Sequence, residues 1–139
     1  MSWDVYMIRT KTNLEPLDRI QYLDVLKFEK KEVMQELEVL SKELNLEIEG
    51  KDTKYVYLRG KNWSIEFEFW DGKEPYFNID MEIRGMHEPI DILNRLKKDL
   101  NTRIVDMSTG TFWEDKRKSG FSNWSKLNKR SESICDSES

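Results

Sequence analysis

The chain is poor in the residues that usually announce chemistry: 139 residues hold one cysteine, one histidine, three prolines and six glycines. Cys135 alone cannot form an intrachain disulfide, which fits a reducing compartment. His87 alone excludes a two-histidine metal site. It stands just before Pro89 at a helix start, where a surface or capping role is expected ahead of catalysis. No Gly-rich phosphate loop, Cys/His cluster or strand-to-helix nucleophile elbow is present, so no catalytic residue, metal ligand or cofactor is assigned. No apolar stretch approaches the ~20 residues that span a bilayer. Met1–Met7 has neither the basic start nor the apolar run of a signal peptide. A cytoplasmic location without membrane association is expected.

What is present is charge and aromatic surface. Charged residues make up 36% of the chain and aromatic ones 12%; the second figure decides for a folded domain, because disordered chains are poor in large rings. The length suits one domain with a real core. The net charge of −4 is unevenly spread. Residues 1–113, read as a single α+β domain, carry 17 basic and 22 acidic residues, a net −5. Residues 114–139, read as an extension that is disordered at its Ser131–Ser139 end, carry 6 basic and 5 acidic residues. All six basic ones lie in Lys116–Arg130, which holds no acid. An acidic body repels phosphate, so nucleic acid is expected only through Lys116–Arg130. That segment interleaves cations with Phe121 and Trp124, a composition that stacks on single strands. The preferred alternative folds Trp113, Phe121 and Trp124 back onto the acidic body.

Alternation and helical spacing predict the order β-α-β-β-β-α-β, an antiparallel-rich sheet with two helices packed on one face. Trp3–Arg9 alternates as a first strand. Leu17–Phe28 is ambiguous, with leucines and Ile20 at helical intervals suggesting a short turn of helix. Val33, Leu37, Leu40 and Leu44 stripe a helix over Glu29–Asn45, which Asn45 stops and no obvious cap begins. Tyr55–Arg59, Trp63–Trp70 and Tyr76–Arg84 are strands joined by turns at Gly60–Asn62 and Asp71–Pro75. Pro89 opens a second helix with Ile90, Leu93, Leu96 and Leu100 on its apolar side. Arg103–Met107 is the last strand, and Ser108–Gly110 turns away from it.

The hairpin Trp63–Arg84 carries the most information. A five-residue turn predicts the pairs Phe69–Phe77, Phe67–Ile79 and Ile65–Met81 on a core face. The opposite face then pairs Glu68 with Asn78, Glu66 with Asp80 and Ser64 with Glu82. Opposed carboxylates repel, so the first reading is a solvated sheet face relieved by basic neighbours. As a functional surface, Glu66, Glu68, Asp80 and Glu82 would dock a cationic protein, with exposed Trp70 or Tyr76 as the buried anchor. Carboxylates alone suit Mg²⁺ or Ca²⁺, but an open sheet supplies no cage.

Four segments carry a resemblance: Ser2–Met7 (SWDVYM), Ser64–Phe67, Ile83–Gly85, and Asp106–Phe112 (DMSTGTF). By these the chain resembles a family of small bacterial cytoplasmic proteins with no assigned reaction. The resemblance implies a fold and no catalytic residues. The chain from Trp113 onward lies outside that pattern, and the stretch after Leu46 lacks an Asp-Pro-x-Trp-like segment. Small acidic proteins of this kind look similar to immunity proteins that neutralise bacterial toxins. A protein-binding module, of immunity or regulatory-inhibitor type and with a basic toxin domain as partner, is therefore favoured over an enzyme. A small hydrolase or transferase using carboxylates with Ser108 or Thr109 is the alternative from another class, and a nucleic-acid accessory protein is the third.

Overall fold

The computed structural model describes residues 2–69 and 74–115. Trp70 and Lys116–Ser139, with Phe121, Trp124 and Cys135, lie outside the described residues. The elements in chain order are β1 (Ser2–Thr10), β2 (Val25–Leu26), α1 (Lys30–Leu44), β3 (Glu47–Glu49), β4 (Tyr55–Arg59), β5 (Trp63–Glu68), β6 (Asn78–Gly85), α2 (Ile90–Asp99), β7 (Arg103–Asp106) and β8 (Thr111–Phe112). The strands form one antiparallel sheet in the order β3-β4-β5-β6-β1-β7-β8, with β2 paired to the end of β1. The α+β architecture matches the sequence expectation.

Pleating puts alternate side chains on opposite faces, and the register carries one apolar set across the sheet. Val56, Phe67, Met81 and Val5 form one cross-strand row, and Leu58, Ile65, Ile83 and Trp3 the next. Val33, Leu37 and Leu40 of α1 and Ile92, Leu93 and Leu96 of α2 close over this inner face. Burying side chains of this size contributes about 1.5–3 kcal/mol each. No helix among the described residues is long and apolar enough to cross a membrane.

The ends of α1 have different origins. Asn45 stops the helix in the left-handed region (φ 56°) and donates its N–H to the Ser41 carbonyl. At the start Glu29 offers no side-chain cap. Instead the Lys30 N–H donates to the Glu74 carboxylate at 2.6 Å, so a residue 44 positions away satisfies an otherwise open helix donor.

Three expectations are corrected. The β5–β6 register is shifted by two residues: Phe67 faces Met81, Ile65 faces Ile83, Glu68 faces Asp80, Glu66 faces Glu82 and Ser64 faces Arg84. Tyr76 is the cause. It leaves the hairpin and pairs with Phe28, the two exchanging backbone hydrogen bonds of 2.6 and 3.1 Å. Its ring meets Phe69 edge-on at 5.3 Å. Tyr76 is therefore 5% exposed, a core residue and no surface anchor, while Phe77 bends outward at 42% instead of joining the core. The short helical turn expected within Leu17–Phe28 is present as two single 3₁₀ turns, Leu17–Arg19 and Tyr22–Asp24, followed by β2. The two- and three-residue strands β2, β3 and β8 are too short to show alternation, which is why the expected order lacks them.

Candidate acidic binding face

The side of the sheet away from both helices carries the second alternating set. Two adjacent cross-strand rows cross its middle. The first runs Tyr57, Glu66, Glu82, Asp4, and the second Tyr55, Glu68, Asp80, Tyr6. Directly opposed residues have Cβ atoms about 4.5–5.5 Å apart, so five carboxylates from three strands share one small area. All four acidic residues singled out from the sequence are in it: Glu66, Glu68, Asp80 and Glu82. Asp4, Tyr6, Tyr55 and Tyr57 were not singled out, because only the pairing of β1 with β6 and of β4 with β5 brings them in. The alternation of Asp4 and Tyr6 within β1 is the signal that points to them.

Cations gather at one border. The next row is Arg59, Ser64, Arg84, Ser2. Arg84 pairs with Glu82 at 2.9 Å, and Arg59 with Glu49 at 2.7 Å while lying 4.8 Å over the Tyr57 ring. Asn78 donates to Asp80 at 3.0 Å. Burial and then the charges of Glu66, Asp80, Glu82 and Asp4 raise the Glu68 pKa above the ordinary value. The Tyr57 phenol is raised by its hydrogen bond to Glu66, and Tyr6 by burial and then the Asp80 charge. Neighbouring carboxylates contribute to each shift, with burial the larger cause for Glu68 and Tyr6.

At the β7 end the same face is apolar and covered. Ile8 and Val105 are buried there. Beside them Arg103 donates to the Glu15 carbonyl at 2.7 Å and lies 3.6 Å over the Phe112 ring. The carboxylates occupy the other half, where Glu66, Glu68, Asp80 and Glu82 are half-buried and Asp4 is exposed.

The remaining sequence candidates are scattered. His87 is exposed in the segment before Pro89. Ser108 donates its hydroxyl to Asp106 at 2.7 Å within an exposed turn, and Thr109 and Thr111 share a 2.7 Å hydrogen bond. A cleft of about 790 Å³ opens between α2 and the β7–β8 strip, and neither Ser108, Thr109 nor any carboxylate of the acidic face lines it. Trp113 lies edge-on to Trp3 at 6.5 Å, and Asp115 accepts a 2.7 Å hydrogen bond from Asn94. Among the described residues no three His, Cys, Asp or Glu side chains converge to hold a metal ion. Comparison with protein-family models, curated proteins and solved structures returns no match for this chain.

Proposed function

We propose that the protein is a binding module, an immunity-type or regulatory inhibitor of a basic protein, working in the cytoplasm through the outer face of β4, β5, β6 and β1. One observation carries this reading: five carboxylates are gathered in two adjacent rows on the sheet face opposite α1 and α2, against their mutual repulsion. Lysines and arginines of a partner would relieve that repulsion, so binding gains energy from a strain the free protein bears. Long-range attraction raises the encounter rate, and the fixed spacing of the rows sets register. Tyr55, 40% exposed, and Tyr57 beside it supply amphipathic contact area where Tyr76 does not.

The double charge reversal Glu66→Lys/Asp80→Lys tests the proposal. Immobilised wild-type and variant proteins are exposed to the same cell extract, and association with the retained basic protein is then followed across ionic strength. The expected result is an association rate at least ~10-fold slower at low salt, with a flattened salt dependence. An unchanged rate against the same partner overturns the proposal.

A further inference from the structure

The chain carries a cationic segment of its own to set against the acidic face. Residues 1–115 hold 17 basic and 24 acidic residues, a net −7, and residues 116–139 hold 6 basic and 3 acidic ones, a net +3. All six cations stand in Lys116–Arg130 with no acid among them, as two triplets on either side of Ser119–Ser125. The fold fixes where this segment begins. Trp113 donates its N–H to the Ile104 carbonyl at 2.8 Å, and its ring meets Trp3 on the helix side of the sheet, so Trp113 is not itself folded onto the acidic face. Asp115, 4% exposed, accepts from Asn94 of α2 and anchors the end of the described chain. Asp4, next to Trp3, ends the first carboxylate row on the opposite face. From Asp115 to that row, round the β7–β8 edge, the way crosses two strand spacings out, one sheet thickness and two spacings back, roughly 30 Å. The 15 residues of Lys116–Arg130 reach up to about 50 Å. The nearer resting place, the cleft between α2 and the β7–β8 strip, sets Arg95, Lys97, Lys98 and Arg103 against three acids, a positive lining that repels the segment.

From these observations we infer that Lys116–Arg130 docks in cis on the acidic face, over the carboxylates of β5, β6 and β1, and competes there with a basic partner. The inference rests on the reading of that face as a cation-binding surface and adds its regulation. Tethering holds the segment at an effective concentration on the order of millimolar, whatever the protein concentration. Surface ion pairs are individually weak and screened by salt, so the contact is loose. It therefore turns away polycations that bind weakly and yields to a partner that binds tightly, which adds specificity to a surface that charge alone would leave promiscuous.

The test uses the full chain. A nitroxide on Cys135, the only cysteine, is expected to broaden the amide signals of Glu66, Glu68, Asp80 and Glu82 at low salt and to leave those of Leu37 and Leu40 in α1 sharp. The broadening should disappear in 0.5 M salt. It should also disappear when all six cations become glutamine (Lys116→Gln, Arg117→Gln, Lys118→Gln, Lys126→Gln, Lys129→Gln, Arg130→Gln), a change that keeps the length of the tether. Octalysine, the probe for a basic partner, is expected to bind this variant about 3–10-fold more tightly than wild type at low salt. Broadening that persists in the variant overturns the inference, as does broadening of ¹⁵N-labelled chains without nitroxide when the two are mixed, which places the segment on a second copy. Equal octalysine affinity overturns it too. Failure of the binding reading is distinguishable, because Glu66→Lys/Asp80→Lys then keeps the partner's association rate whatever the segment does. Should the glutamine variant fail to fold, the wild-type broadening decides: its absence at low salt, or its survival in 0.5 M salt, overturns the inference.

Discussion

If the acidic face is maintained for binding, neutralising its centre should make the free protein more stable. Glu68→Gln is the sharpest form of that perturbation, because Glu68 faces Asp80 across the β5–β6 pair and has Glu66, Glu82 and Asp4 around it. At ~6 Å in water two unit charges interact with about 0.7 kcal/mol, and physiological salt roughly halves this. Two near neighbours and two at ~10 Å then sum to roughly 0.9 kcal/mol, so a gain of about 0.5–1 kcal/mol is expected once local relaxation is allowed for. The sign follows from linkage. The folded-state pKa of Glu68 lies above its unfolded value, so its favourable contribution is complete below the unfolded pKa and is lost as pH rises through the folded one. The variant should therefore exceed wild type at pH 7, converge with it near pH 3.5, and lose much of its advantage in 0.5 M salt. Urea unfolding followed by tryptophan fluorescence at both pH values and two salt concentrations measures this. A variant less stable than wild type at pH 7, or a gain indifferent to salt, would refute the reasoning.

Two further substitutions probe how distant parts of the chain support each other. Glu74→Ala removes the carboxylate that accepts from the Lys30 N–H, and should cost about 0.5–1.5 kcal/mol in urea unfolding; no change would show that water caps α1 equally well. Gly85→Ala places a methyl 2.3 Å from the Asn62 carbonyl oxygen and 2.6 Å from Trp63 Cα, at a φ of +141°. A loss of about 1–3 kcal/mol and a lower thermal midpoint are expected, and wild-type stability would contradict the geometry.

The faces of the strands were legible from alternation, and an error in register did not harm them. A two-residue slip between β5 and β6 moves every pair along the hairpin but leaves each side chain on its face, because the pleat repeats every two residues. Phe67 stayed in the core and Glu66 stayed outside, although their partners changed from Ile79 and Asp80 to Met81 and Glu82. Asp4 and Tyr6 were not legible as part of the acidic rows, since β1 pairs with β6 from the far end of the described chain, whereas Tyr55 and Tyr57 come from the neighbouring β4 and needed only the β4–β5 register. Tyr76 misled for a related reason: alternation cannot register the bend at Phe77 that turns the preceding ring inward.

Local chemistry by itself determined that this chain is an α+β domain, where α1 stops, and that one sheet face is apolar and the other acidic. Those properties depend on side-chain periodicity and on the backbone freedom of single residues such as Asn45. Tertiary structure alone decided the hairpin register, through the Phe28–Tyr76 pairing, and the start of α1, through Glu74. Each of these is a contact between segments with no local preference for one another, and its position is set only when the apolar faces of the sheet and helices close on a common core.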